Sequence, residues 1–203
     1  MEDRRKLLND FLDAFPLETL KDMPLEKYTN LNRSDSFCYW VESRTYALGS
    51  IWGGSAYKFG IYKYNERPKG TASRVLFDDT YAWYSKNGQT AEEAYAMIRS
   101  EIVKIATHAR NLELEAIDKI TTFGDVFKWK IAFLYSQENL IPIYNREMLE
   151  TVTAALGADE PAKKSIPYMQ RFLLMKKADI DLFAFFVHLL QIIDNKANDV
   201  DNV

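Results

Sequence analysis

Apolar and more polar residues alternate between Val126 and Tyr135, and this pattern constrains the fold of the chain more than any other. One side of the pattern holds Phe127, Trp129, Ile131, Phe133 and Tyr135, and the other holds Lys128, Lys130 and Ala132. Because successive side chains of a β-strand point to opposite faces of a sheet, the segment is predicted to be a half-buried strand. Trp129 would then pack in the core, while Lys128 and Lys130 would either stay in solvent or touch successive phosphates of a ligand.

Three other segments are predicted to complete a sheet around this strand. Leu140–Tyr144 would be its hairpin partner, and Pro142 favours a position at the sheet edge. Ile51–Tyr64 and Thr80–Ser85 also carry strand signals. Between these two, Asn65–Ser73 is predicted to be a mobile loop.

Helical signals lie on both sides of the predicted strands in the sequence. Apolar spacing predicts a first helix over Arg4–Phe15, which Pro16 ends. Thr90-Ala-Glu-Glu93 has the spacing of a capping box, so a long helix should follow it. Beyond Arg146 the pattern is helical over three segments, Glu147–Leu156, Ser165–Lys177 and Ile180–Lys196.

These elements predict an α+β fold, in which a curved mixed or antiparallel sheet of about four to five strands packs on helices. Residues 1–156 would form this α+β domain. Residues 157–203 would form a helical C-terminal segment that packs on the domain or leads to a partner. Within it, the nearly all-apolar run Leu182–Leu190 fits a buried helix or a contact with another subunit, and it is far short of the roughly 20 residues needed to cross a bilayer.

The segment from Gly49 to Tyr64 reads GSIWGGSAYKFGIYKY and combines glycines with aromatic rings. A second aromatic cluster follows at Tyr81–Tyr84. Glycine permits sharp turns and close approach of a ligand to the backbone, and aromatic rings offer flat surfaces for stacking. The pattern therefore predicts a binding face, although Trp52 and Trp83 fit packing in the core as well as contact with a ligand.

Positive charge is concentrated in the same region. The chain has a formal net charge of −3, but residues 49–90 contain six basic and three acidic side chains, a balance of +3. The rest of the chain therefore carries a net charge of −6. This distribution argues against indiscriminate binding of nucleic acid and favours one local basic surface.

Motifs that carry chemistry are missing from the sequence. His108 and His188 fall inside predicted helices without a partner at metal-ligand or triad spacing, and no phosphate-binding loop of a nucleotide-driven motor occurs. We therefore expect a protein that is not an enzyme and that has no cofactor or metal. The single cysteine, Cys38, and the lack of a leader sequence predict a cytoplasmic location.

Several segments together resemble the N-terminal domains attached to the motor subunits of McrB-type modification-dependent restriction systems. They are Tyr28-Thr-Asn-Leu31, Phe37-Cys-Tyr-Trp-Val-Glu42, Leu48-Gly-Ser-Ile-Trp-Gly-Gly-Ser55, Lys58-Phe-Gly-Ile-Tyr62, Tyr81-Ala-Trp-Tyr84 and Lys128-Trp-Lys-Ile-Ala-Phe-Leu-Tyr135. The resemblance covers Leu25 to Leu156. In that family the leading domain reads DNA, in some members by flipping a methylated cytosine into an aromatic pocket, while a GTP-driven AAA+ motor and a nuclease subunit cut the DNA.

The resemblance implies a role in antiviral defence as the DNA-reading part of a restriction system, with a separate GTPase motor and nuclease as partners. It assigns base contacts to Trp52, Tyr62, Trp83 and Tyr84, with Ser55 or Asn87 reading the base by hydrogen bonds. It assigns phosphate contacts to Lys58, Lys63 and Lys86.

Two other functions are compatible with the sequence. The C-terminal helices, Ser165–Lys196, suit a protein-interaction adaptor or an oligomerisation module. Asp78 and Asp79 suit the metal site of a nuclease, which is the weaker of the two alternatives.

Overall fold

The computed structural model describes residues 3–32, 35–53, 55–66 and 74–201, with side chains as far as residue 198. Residues 67–73 of the predicted loop lie outside the described residues, as does Gly54 of the aromatic segment. The α-helices of the described chain are α1 (Arg4–Ala14), α2 (Leu25–Tyr28), α3 (Phe37–Tyr39), α4 (Ala91–Arg110), α5 (Leu114–Asp118), α6 (Asp125–Tyr135), α7 (Arg146–Ala155), α8 (Ile166–Lys177) and α9 (Leu182–Asp201).

Shorter helical turns connect these helices. Trp40–Arg44 is a π-helical turn that continues α3, and the 3-10 turns are Leu17–Asp22, Tyr46–Leu48, Ala56–Phe59, Ser85–Asn87 and Pro161–Lys163. Among the described helices, none has both the length and the apolar character that crossing a membrane requires.

The sheet is small and antiparallel, with strands β1 (Ile61–Lys63), β2 (Val75–Phe77) and β3 (Tyr81–Tyr84) in the order β1-β3-β2. Trp83 lies opposite Ile61 of one neighbour and Leu76 of the other. The protein is therefore mostly helical, and the predicted α+β fold with a sheet of four to five strands is wrong. The prediction of a strand at Thr80–Ser85 is confirmed, while most of Ile51–Tyr64 is not a strand.

The segment with the clearest alternation, Val126–Tyr135, is a helix and not a strand. Every residue of α6 from Phe127 to Tyr135 is buried, because α6 packs against the long helix α4 and other elements on all sides. A helix that is covered all round does not need an apolar stripe with a period of 3.6 residues. The alternation of rings and lysines therefore predicted a strand, with a period of two residues, where the structure has a helix. The prediction that Trp129 lies in the core is confirmed.

Both lysines of α6 are buried, which contradicts the expectation that they face solvent or a ligand. The Nζ atom of Lys130 donates to the carbonyl oxygens of Thr45, Leu48 and Gly49 at 2.8, 3.0 and 2.7 Å. Burial lowers the pKa of Lys130, but three acceptors match the three donors of the charged ammonium group. Lys130, in the middle of α6, thus holds the distant segment Thr45–Gly49 by its backbone oxygens.

The predicted hairpin partner Leu140–Tyr144 is a buried connection and not a strand. The side chain of Gln170 supplies the hydrogen bonds that a neighbouring strand would have made. Its Oε1 accepts from the amide of Ile141 at 2.8 Å, and its Nε2 donates to the carbonyls of Ile141 and Ile143 at 3.2 and 3.1 Å. Because the backbone is satisfied in this way, the segment can stay buried without a sheet.

Local signals at helix ends agree with the structure. The hydroxyl of Thr90 accepts from the amide of Glu93 at 3.2 Å, so the threonine half of the predicted capping box is present at the start of α4. The Glu93 carboxylate accepts at 2.8 Å from the amide of Gln89, one residue before the cap, and not from that of Thr90. The helices after Gly157 share one hydrophobic core with the rest of the chain. Ion pairs of Arg5 with Asp181 and of Arg171 with Glu115 also join them to α1 and α5.

Candidate functional site

An open cleft of about 660 Å³ lies between the end of β3 and the loop that precedes α6, and we call it the basic cleft. It is lined by Ser55, Tyr57, Lys58, Arg74, Tyr84, Ser85, Lys86, Thr121, Thr122, Phe123 and Gly124. Three of these side chains are basic, and none of the described lining residues is acidic. The cleft thus collects positive charge on a protein whose formal net charge is −3.

The three basic side chains of the basic cleft differ in the hydrogen bonds and ion pairs that they already make within the protein. Arg74 and Lys86 are exposed, and within the described chain Arg74 has no ion-pair partner. Lys86 makes only long contacts, at 3.5 and 3.3 Å, with the carbonyl oxygens of Thr121 and Thr122. These two side chains are therefore the ones free to meet an anionic ligand.

Lys58 is half-buried, and its ammonium group is already bound within the protein. Its Nζ atom pairs with the carboxylate of Glu42 and donates to the carbonyl oxygens of Ile51 and Gly53 at 2.9 and 2.8 Å. These two carbonyl oxygens belong to the residues on either side of Trp52. Lys58 thus fixes the loop that carries the Trp52 ring, in place of the phosphate contact implied by the resemblance.

Three half-buried tyrosines form a cluster beside the basic cleft. The ring of Tyr57 lies 5.3 Å from that of Tyr84 at an interplanar angle of 36°, and 5.0 Å from that of Tyr62 at 87°. Burial and a hydrogen bond with Tyr57 raise the pKa of Tyr62, so this hydroxyl stays neutral. The cluster offers partly exposed ring surface next to Arg74 and Lys86.

A second cleft of about 470 Å³, the polar cleft, adjoins this cluster at Tyr62. Its lining includes Ser36, Ser43, Glu42 and Lys63. Lys63 is paired with the Glu26 carboxylate at 3.1 Å, and the Tyr81 hydroxyl donates to the same carboxylate at 2.6 Å. These two hydrogen bonds, that of Tyr81 first, lower the pKa of Glu26, so the charge of Lys63 is balanced within the protein.

The two tryptophans of the predicted face have opposite environments. The Trp52 side chain is 78% exposed, whereas Trp83 is 3% exposed and its indole N–H donates to the carbonyl of Gly88 at 3.1 Å. Only Trp52 is placed to stack on a ligand. The core packing that the sequence left open for Trp83 is the arrangement present in the structure.

The two candidates for reading a base by hydrogen bonds also differ. Ser55 is exposed and lines the basic cleft, although its hydroxyl accepts from the amide of Tyr57 at 3.3 Å. Asn87 is buried, and its side-chain amide donates to the carbonyl of Gly60 at 3.3 Å. Asn87 therefore supports the end of β3 and is not available at a surface.

Of the residues predicted for the site, the structure places Ser55, Lys58, Tyr84 and Lys86 around one cleft. It adds Tyr57, Arg74 and the loop Thr121–Gly124, which the predicted site did not include. Tyr57 belongs to the aromatic segment and Arg74 to the basic region, so both had a signal in the sequence. The loop Thr121–Gly124 had none, because it is distant in the chain and reaches the cleft only through the packing of α5 and α6.

Acidic and histidine side chains do not form a metal site in the part of the chain that the structure describes, where no group of three or more potential ligands is found. Asp78 accepts from the amides of Thr80 and Tyr81, both at 2.7 Å, which stabilises the turn before β3. His108 is paired with Glu113 beside the end of α4.

Comparisons of the chain with models of protein families, with curated proteins and with solved structures find no match. The charges and rings of the basic cleft are therefore the main support for a function.

Proposed function

We propose that this chain is a non-catalytic DNA-binding module whose basic cleft holds phosphates and whose exposed rings contact bases. The observation that carries the proposal is a cleft of about 660 Å³ with three basic side chains, a neighbouring tyrosine cluster and no acidic lining residue among those described. Because the remainder of the chain carries a net charge of −6 while the described lining of the cleft is basic, the cleft is a favourable place for a polyanion.

Different side chains of the proposed interface contact the DNA phosphates and the DNA bases. Arg74 and Lys86 contact phosphates, since both are exposed and neither is bound to a carboxylate of the described chain. Trp52 and Tyr84 stack on bases, each stacked base contributing about 1–3 kcal/mol. Lys58 acts indirectly, because it positions the loop of Trp52.

The resemblance to McrB-type reading domains adds a finer proposal, that the module recognises a modified cytosine rotated out of the duplex. The polar cleft of about 470 Å³ has room for one base beside Tyr62. Glu42 lines this cleft, and a carboxylate is a suitable acceptor for the amino group of cytosine. By the same resemblance, the module would direct a separate GTPase motor and a nuclease to their target.

Fluorescence anisotropy with a labelled duplex over a series of salt concentrations tests the DNA-binding proposal. The Arg74→Glu/Lys86→Glu variant should bind at least about tenfold more weakly, and the slope of log affinity against log salt should fall by about two. Lys104→Glu is the control for a single charge reversal, because Lys104 is an exposed lysine on α4, outside the cleft. Absence of binding at low salt by folded wild-type protein, or equal losses in both variants, would refute the proposal.

The modified-base proposal has its own test with duplexes that differ only in cytosine methylation. The wild type should bind the methylated duplex more tightly, whereas Glu42→Gln should weaken binding of both duplexes, because Glu42 pairs with Lys58 and would contact the amino group that both cytosines share. Equal affinity of the wild type for the two duplexes would end the modified-base proposal and leave the DNA-binding proposal standing.

A further inference from the structure

Helix α8 exposes a row of apolar side chains beside the face that packs on the core, and Phe172 of this row also touches the core. Tyr168 and Met175 are 41% and 67% exposed, and with the half-buried Phe172 they follow the i, i+4, i+7 spacing of one helix face. The rings of Tyr168 and Phe172 lie 6.3 Å apart and nearly parallel at 18°. The core-facing side of α8 is made by other residues, namely Ile166, Met169 and Leu173.

Basic side chains flank this row, and we call the whole surface the α8 stripe. The Nζ atoms of Lys164 and Lys176 lie 5.1 and 5.2 Å from the ring centroids of Tyr168 and Phe172. Residues 164–177 contain four basic side chains and no acidic one. An apolar row with such a border suits a partner surface that is apolar in the middle and acidic at its edge.

A groove of that character lies next to the stripe on the same chain. It has a volume of about 730 Å³, runs between α7, α9 and the Pro161–Lys163 turn, and we call it the acidic groove. It is lined by Asn145, Glu147, Met148, Glu150, Thr151, Ala154, Glu160, Pro161, Ala162, Ile193, Lys196 and Ala197. Its lining holds three carboxylates and one lysine, and two of the carboxylates, Glu150 and Glu160, form surface ion pairs with Arg146 and Lys163, which are weak enough for a partner's cation to replace. Met148, 42% exposed, and Ile193 supply apolar surface.

We infer that two copies of this chain associate, with the α8 stripe of each copy seated in the acidic groove of the other. The two surfaces are adjacent on one chain, because Glu160 and Pro161 line the groove and Lys164 begins the stripe. A twofold axis near these residues satisfies both contacts at once and closes the assembly as a dimer. Burial of Tyr168, Phe172 and Met175 drives association, and the charges fix the orientation.

Analytical ultracentrifugation over a range of protein and salt concentrations tests this inference. The wild type should reach twice the monomer mass of 23.6 kDa, and added salt should weaken the dimer. The stripe variant Lys164→Glu/Lys176→Glu and the groove variant Glu147→Lys/Glu160→Lys should each raise the dimer dissociation constant at least about tenfold. A mixture of the two variants should restore the dimer, since every contact between unlike copies then pairs opposite charges.

The control is again Lys104→Glu, which alters an exposed charge on α4 and should leave the dimer unchanged. Circular dichroism of each variant checks that it is folded. A wild type that stays monomeric at every concentration, a dimer indifferent to both variants, or a mixture that remains monomeric would overturn the inference. Growth beyond a dimer would overturn the twofold arrangement. None of these outcomes depends on whether DNA binds in the basic cleft.

Discussion

The Nζ atom of Lys58 lies 2.9 Å from the carbonyl oxygen of Ile51, so a half-buried lysine paired with Glu42 holds the loop of an exposed tryptophan. Replacing Lys58 with Met removes this bond, the bond to Gly53 and the ion pair. We expect amide hydrogen exchange of residues 50–53 and 55–58 to accelerate at least about tenfold, because the loop loses the side chain that binds two of its carbonyl oxygens. Mass spectrometry measures the exchange. The control Lys86→Met, which removes only long contacts with Thr121 and Thr122, should leave these residues unaffected.

Lys130 is expected to be the most costly lysine to remove. Lys130→Met removes one hydrogen-bond donor from each of the carbonyl oxygens of Thr45, Leu48 and Gly49. The Thr45 oxygen keeps the amide of Leu48 and the Leu48 oxygen keeps the hydroxyl of Tyr144 as donors. The free energy of unfolding should fall by roughly 2–4 kcal/mol. Urea denaturation measures it. The exposed lysine of the control, Lys104→Met, should change the stability by less than about 0.5 kcal/mol, and a similarly small effect at Lys130 would contradict the role given to its ammonium group.

Alanine substitutions of Trp52 and Trp83 should affect different properties, DNA binding for Trp52 and stability for Trp83. Trp83→Ala removes a buried indole and should lower the free energy of unfolding by about 3–5 kcal/mol. Trp52→Ala should leave stability within about 0.5 kcal/mol of wild type, because its side chain is 78% exposed. In the anisotropy titration the same Trp52 variant should bind DNA about tenfold more weakly. Unchanged binding would remove Trp52 from the proposed interface.

The ion pair between Arg171 and Glu115 should make a small, pH-dependent contribution to stability. The guanidinium donates to the carboxylate at 2.7 Å and lowers the pKa of Glu115 to about 2. Because the pKa is lower in the folded state, the stabilisation is complete above about pH 4.5 and is lost as the pH falls toward 2.

Arg171→Gln should therefore be less stable than wild type at pH 7 by no more than about 1 kcal/mol, since both side chains are largely exposed and screened by water. The difference should shrink toward zero near pH 2. Urea midpoints at the two pH values measure it, with Arg171→Lys as an intermediate variant that keeps the charge. A difference that is constant with pH would mean that Arg171 acts through packing alone.

Much of the candidate site could be predicted because its parts are close in the sequence. Trp52, Ser55, Tyr57 and Lys58 lie within one segment, and Tyr84 and Lys86 follow within the same basic region. The pattern of rings and charges could not reveal which lysines are already paired with a carboxylate of the protein. Lys58 and Lys63 look equivalent to Lys86 in the sequence, yet their partners Glu42 and Glu26 come from earlier segments.

The fold class was predicted wrongly for the same kind of reason. Residues 126–135 alternate as a strand would, but the choice between helix and strand depended on what surrounds them. Contacts supplied by residues 45–49 and 118–120 allow Lys130 and Lys128 to be buried, and Gln170 replaces a strand partner for Ile141.

By itself, the sequence determined where several helices begin and end: Pro16 follows α1, Thr90 and Ser165 cap α4 and α8, and Gly157 follows α7. Such signals suffice because a cap is formed with backbone groups only a few residues away. Tertiary structure alone decided that α6 is a helix, that Trp83 is buried while Trp52 is exposed, and that the loop Thr121–Gly124 completes the basic cleft. Those outcomes depend on burial and on hydrogen-bond partners many residues away, which no local pattern encodes.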